Sequence, residues 1–484
     1  MKKATTLENA YDPEHFRSVG HQLVDQLADH LASVQQREGQ AIPYSPPEEE
    51  QAFWSEDWGR QAGQGDPMLY FQQILERSVQ LQHPRYMGHQ VSPPAPLAVL
   101  SNLVDGLLNN GSAVYEMGMA GTAIEQLVVQ EVAKAMGMEA TAGGLLTSGG
   151  TLSNLTALLA ARAVQCPDPV WTQGHQEPLA LMVSEEAHYC VDRAARIMGW
   201  GSTGIIKVPV DDHYRMRHEL LPAYLAKAQA KGRRVIAVVG SACSTSTGSF
   251  DNLEALADFC EDNGLWLHVD GAHGAGMVFS EQHKTVLNGI ARADSVTMDF
   301  HKMLLTPVLA TALIFRDGRH AYRTFSQQAQ YLWEGQSVEE WHNMAKRTFE
   351  CTKFMIGMKV YSIMRTYGTA LWEEYVDRVV NNGQKLYQLL QARQAFEAAI
   401  EPACNIVCFR YRAEEMEAED LNVLNARIRQ QLLEEGQFYI VQTLLKGELY
   451  LRVTLTNPFT TTEDLSAMLE ACERAAQTVL KTVS

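Results

Sequence analysis

Seven short apolar runs recur between Gly143 and Asp317, separated by longer stretches of helical character. They read "GGLLTSG", "LALMVSE", "GIIKVPV", "RRVIAVVGSAC", "LWLHVD", "DSVTMDF" and "ATALIFRD", with a helix predicted from about Leu152 after the first. Several are apolar on both faces, which suits strands covered by helices on either side. Strands alternating with helices predict α/β architecture around a mainly parallel sheet.

The flanks read differently. Asp12 before Pro13 predicts a helix start, and Phe16, Val19, Leu23, Leu27 and Leu31 continue it at helical spacing. The segment "IPYSPPEEE", with three prolines and an acid run, predicts an extended connection. After about residue 370 a long helical stretch leads to strand "NIVCFRYR", helix "LNVLNARIRQQLLEE" and strands "FYIVQTLL" and "ELYLRVTLT", joined around Lys446-Gly447. Thr460 with Glu463 offers a capping box for a last helix carrying Leu465, Met468, Leu469 and Cys472. The expected division is a helical segment over 1–85, a large domain over 86–370 and a small α+β domain over 371–484.

Composition narrows the function classes. The chain of 484 residues is 46% hydrophobic, enough for a large core. A formal net charge of −17 argues against nucleic acid and anionic membranes as partners, since both need a basic footprint. Neither a signal peptide nor an apolar run of roughly 20 residues is seen, so a cytoplasmic protein is expected. Eight cysteines without CxxC pairs favour neither a disulfide framework nor a zinc site, and no metal is expected.

Four stretches place polar residues where predicted strands end, the usual place for sites in open α/β sheets. "TSGGTLSN" sets two glycines and several hydroxyls before a helix, which suits an anion such as phosphate or a purely structural turn. His188 in "SEEAHYC" is either a packing residue or a ring that stacks on an aromatic ligand. Asp270 ends the apolar run "LWLHVD", where a carboxylate is costly unless it meets a cation or caps the next turn. Lys302 lies between a strand and the apolar "MLL", where desolvation would lower its pKa and free an amine to attack a carbonyl. Together, a phosphate cradle, a stacking ring, a buried acid and an amine nucleophile are what pyridoxal phosphate needs.

The series "HPRYMGHQ", "TSGGTLSN", "SEEAHYC", "HVDGAHGAG", "DFHK" and "LRVTLTNPFTTTEDL" resembles the group II pyridoxal-phosphate-dependent amino-acid decarboxylases, from about His83 to the last helix. That family includes glutamate, cysteine-sulfinate, 2,4-diaminobutyrate and aromatic amino-acid decarboxylases. The resemblance implies an aspartate-aminotransferase-type large domain with a mainly parallel seven-stranded sheet, an N-terminal helical arm and a small C-terminal domain. It also implies a homodimer with the active site at the subunit interface, and pyridoxal 5'-phosphate as cofactor.

Position by position, Lys302 matches the lysine that binds the cofactor covalently, Asp270 the partner of the pyridine nitrogen and His188 the stacked ring. Ala272 resembles the small residue on the other face, Gly150 and Thr151 the phosphate turn, His301 a second phosphate contact and Thr245 a threonine near the ring. Arg452 resembles the arginine that grips the substrate's α-carboxylate, and Tyr331 the loop tyrosine that protonates Cα after carbon dioxide leaves. Asp299-Phe300 departs from the commoner Asn-Pro and is similar to the diaminobutyrate branch. Cys243-Ser244 and His273 depart as well. The implied reaction is decarboxylation of an acidic or small polar L-amino acid or 2,4-diaminobutyrate. An aromatic substrate, an aminotransferase, a lyase and a non-catalytic relative stand as alternatives.

Overall fold

A computed structural model describes residues 5–166, 170–325, 340–413 and 416–483. All seven apolar runs form strands: β1 (Gly143–Thr147), β2 (Leu179–Ser184), β3 (Ile205–Val208), β4 (Arg234–Ser241), β5 (Trp266–Asp270), β6 (Ser295–Asp299) and β7 (Thr311–Phe315). They make one sheet in the order β1-β7-β6-β5-β4-β2-β3. Pairing is parallel from β6 through β5, β4 and β2 to β3, and only β7 runs against its neighbours β1 and β6. Parallel neighbours need long crossovers, which is why helices fall between the strands. Every residue of β2, β5, β6 and β7 is buried, so these strands carry no polar alternation. Helix Gly150–Gln165 lays Ala157, Leu158 and Ala161 into a core shared with Leu145, Leu181, Trp266 and Phe315.

The chain forms two compact units, one of residues 90–388 and 398–408, the other of 1–89, 389–397 and 409–484. The seven-stranded sheet belongs to the first. In the second, Asp12 caps helix Pro13–Gln35 by accepting from the Glu14 N–H at 3.0 Å, as its sequence predicts. The acid run of "IPYSPPEEE" is not extended, however. Helix Pro47–Gln61 starts inside it, with Glu48, Glu49 and Glu50 in the first turn, where the helix dipole favours negative charge.

A four-stranded sheet has the order β10-β11-β9-β8, with β8 at Phe396–Ala398, β9 at Ile406–Tyr411, β10 at Val441–Leu445 and β11 at Glu448–Thr454. Strand β8, three residues long, is too short for periodicity to announce. The capping box before helix Thr462–Val483 is shifted by one residue from Thr460 and Glu463. Thr461 and Asp464 exchange the bonds, with Thr461 N–H donating to the Asp464 carboxylate at 3.0 Å and Asp464 N–H to Thr461 Oγ1 at 3.3 Å.

One buried ion pair in the first unit fixes the end of β1. Lys353 Nζ donates at 2.6 Å to Glu125 Oε1 and at 2.6 Å to the Leu146 carbonyl, while the Leu146 N–H donates to that same carboxylate oxygen at 2.9 Å. Burial pushes the Lys353 ammonium down despite Glu125 beside it. Glu125→Gln leaves a buried cation without its counter-charge, and the expected loss of stability is about 3–5 kcal/mol. Urea denaturation checks it; a loss below about 1 kcal/mol, the size of an ordinary hydrogen bond, would contradict this account of the pair.

Candidate active site

The carboxyl ends of β1, β2, β4, β5 and β6 open onto one cavity of ≈ 420 Å³ within the first unit. Lys302 reaches it from the short helix Phe300–Met303, which follows β6 directly. Phe300 is fully buried with its ring 6.0 Å from Trp372, and Met303, Leu304 and Leu305 are buried behind it. The apolar run thus anchors the turn and leaves the lysine, 23% exposed, on the cavity wall.

Asp299, the last residue of β6, carries the Lys302 counter-charge. Its Oδ2 stands 3.0 Å from Lys302 Nζ and 3.6 Å from His301 Nε2. Its Oδ1 accepts from Thr311 Oγ1 at 2.5 Å, because the antiparallel register sets Thr311 opposite Asp299. This corrects the expectation of a depressed lysine pKa. Burial does push the ammonium down, but the Asp299 and Asp270 carboxylates outweigh it and hold the pKa above its ordinary value.

Asp270, at the tip of β5, caps its own turn by accepting from the Ala272 N–H at 3.3 Å and also lines the cavity. His188 caps helix Tyr189–Ile197 by accepting through Nδ1, and burial lowers its pKa. Ala272, Thr245, Gly150, Thr151 and His301 all line the same cavity. Burial also lowers the pKa of His301, whose Nδ1 lies 3.0 Å from the Ala310 carbonyl. The turn into helix Gly150–Gln165 needs its glycines: Gly149 has φ 129°, and a Cβ on Gly150 would meet the Asp299 carboxylate oxygens at 3.3 Å and Ala272 Cβ at 3.5 Å. Of the ten residues singled out from the sequence, eight therefore converge: Gly150, Thr151, His188, Thr245, Asp270, Ala272, His301 and Lys302.

Such walls fit a flat, anionic aldehyde. An amine sits on one side, a carboxylate at a strand tip on another, and the first N–H groups of a 16-residue helix point where an anion would lie. Residues 70–412 match the pyridoxal-dependent decarboxylase conserved domain. The chain belongs to this family. Pyridoxal-dependent decarboxylases similar to it include an aromatic-L-amino-acid decarboxylase of Bacillus atrophaeus, 25% identical over 473 residues and covering 96% of both chains. An L-2,4-diaminobutyrate decarboxylase of Rhizobium meliloti is 28% identical over 404 residues, 83% of this chain and 80% of that one. In fold, the crystal structure of mouse CSAD superposes with a TM-score of 0.89 at 24% identity, covering 96% of this chain and 99% of the other. The protein is accordingly a carboxy-lyase that uses pyridoxal 5'-phosphate to decarboxylate an amino acid. Its sheet and small C-terminal domain are those expected of a type I pyridoxal-phosphate fold.

The other two predicted residues are not among the described residues that line the cavity. Tyr331 lies outside the described residues. Arg452 is buried on β11, opposite Val441, in the second unit. Conversely, sequence reasoning did not assign Asp299 or Cys190 to the cavity. Asp299 carries the signal that marked Asp270, an acid closing an apolar strand; Cys190 carries none beyond its nearness to His188.

Proposed function

We propose that Lys302 carries the cofactor, that Asp270 holds the ring nitrogen protonated, and that His188 and Ala272 pack on its two faces. The convergence of these four on one cavity is the observation that carries the reading. Gly150, Thr151 and His301 hold the phosphate, and Thr245 lies by the ring. The bound cofactor supplies the electron sink into which the bond at Cα breaks. Arg452 grips the substrate's α-carboxylate through its planar fork, and Tyr331 returns the proton to Cα.

The substrate proposed is an acidic or small polar L-amino acid or 2,4-diaminobutyrate. Among the described residues that line the cavity none is Phe, Tyr or Trp, whereas Gln90, Ser148, Thr245 and His273 do line it. The similarity to the Bacillus atrophaeus enzyme favours an aromatic substrate instead. Comparing kcat/KM for glutamate, aspartate, cysteine sulfinate, diaminobutyrate, tyrosine and tryptophan decides: the polar group should lead by at least about tenfold, and an aromatic lead of that size sinks the assignment.

A homodimer in the cytoplasm is proposed as the working form, with residues 1–85 contributing to the contact. Helix Pro96–Leu108 leaves Leu100, Leu103, Val104, Leu107 and Leu108 exposed, Leu107 at 70%, and helix Pro13–Gln35 leaves Phe16 and Leu27 exposed. Exposed apolar side chains grouped on a helix in this way suit a permanent partner.

Two variants probe the assigned roles. Tyr331→Phe removes the proposed proton donor, so in the presence of dioxygen a major share of product should become aldehyde and ammonia; an unchanged amine yield would remove Tyr331 from the reaction. Asp299→Asn removes the nearest charge holding the Lys302 ammonium. Only the free amine attacks an aldehyde, so wild-type cofactor uptake should rise with pH below the lysine's pKa. At pH 7 the variant's apoprotein should take up cofactor faster than the wild-type apoprotein, because more of its lysine is free amine. Stopped-flow absorbance reads the rate, and slower uptake would contradict the counter-charge role.

A further inference from the structure

We propose that the cofactor-free protein holds a divalent cation of zinc's class on His188, Cys190 and Asp270, and that this cation and the cofactor exclude one another. The donor atoms of these three residues lie within 4.8 Å of one another on the cavity wall. Imidazole nitrogen, thiolate sulfur and carboxylate oxygen are the donor types zinc prefers, with water completing a tetrahedron. At ordinary zinc bond lengths such donors stand about 3.3–3.8 Å apart, so closing on a metal asks for side-chain movements of about 1 Å.

Cys190 is held in place for this. Trp266 Nε1 donates to Ser295 Oγ at 2.9 Å, and Ser295 Oγ lies 2.8 Å from His268 Nδ1. His268 Nε2 lies 2.6 Å from Asn154 Oδ1, and Asn154 Nδ2 donates to Cys190 Sγ at 3.3 Å. With His268 donating from Nε2 to Asn154 Oδ1, one direction of donation runs through the whole series and ends at the sulfur. Outer partners of this kind orient a metal ligand and support its negative charge.

Binding replaces the thiol proton: the S–H bond breaks, a sulfur–metal bond forms and one proton passes to solvent, with no change of oxidation state. Exclusion follows from Asp270, since one carboxylate cannot serve both a metal ion and the cofactor's ring nitrogen. This part rests on the cofactor reading above; the metal site itself does not.

Cobalt(II) is the probe, added to apoprotein carrying Cys351→Ser to remove the exposed thiol. One cobalt per chain should bind with a thiolate-to-metal charge-transfer band, and saturating cofactor should abolish the band. Adding Cys190→Ser should abolish the band and weaken binding by at least about tenfold. Zinc should slow cofactor uptake in the parent and leave the Cys190→Ser protein's uptake unaffected. A band that survives Cys190→Ser, or a band that persists after cofactor saturation, overturns the proposal. Carbon dioxide release by the loaded enzyme is scored separately, so a failed metal site leaves the decarboxylase reading standing, and the reverse.

Discussion

Lys302→Ala should abolish decarboxylation, with kcat/KM falling by at least about 10⁴-fold, the scale seen when a covalent catalytic group is removed. The purified variant should also lack the visible absorbance of the wild-type protein, because no other lysine lines the cavity among the described residues. The substitution leaves the anchoring of the turn by Phe300, Met303 and Leu304 unchanged. It does leave Asp299 facing the cavity beside His301 without its strongest partner. Retained turnover with a normal spectrum would place the chemistry elsewhere.

Asp270→Asn is the second large effect. An amide keeps the shape and can still cap the turn at Ala272, but it carries no charge to keep the ring nitrogen protonated. The cofactor should still bind through Lys302 and the phosphate turn, while kcat falls by at least about 10³-fold, the size of losing a preorganised charge partner in a site shielded from water. Steady-state kinetics on protein with full cofactor content makes the comparison. A loss under about tenfold would mean that Asp270 serves the turn alone.

The strands were legible because burial on both faces leaves an apolar signature that survives without knowledge of neighbours. The residues at their ends were legible for the same reason: Asp270 is conspicuous only against "LWLHV". What could not be read depends on contacts across the sequence. The pKa of Lys302 needed the position of Asp299, whose carboxylate is fixed by Thr311 through an antiparallel register. Cys190 and Asp270 are brought together by strands β2 and β5, which are not neighbours in the sheet. Both Thr460 and Thr461 have an acid three residues on, so the capping pattern fits either. Asp464 is chosen where Arg37 and Arg85 pair with it, at 2.7 and 3.4 Å. The Asn-Pro replacement has likewise become two separate facts: Phe300 is a core anchor and Asp299 a charge beside the lysine.

The central claim is that this cavity removes carbon dioxide from an L-amino acid and does not transfer its amino group. Supplying the cofactor-loaded enzyme with 1-carboxyl-labelled substrates and quantifying labelled carbon dioxide, amine and keto acid together tests it most directly. Labelled carbon dioxide and amine should appear in equal amounts with no keto acid. Keto acid formed without release of label would contradict the account.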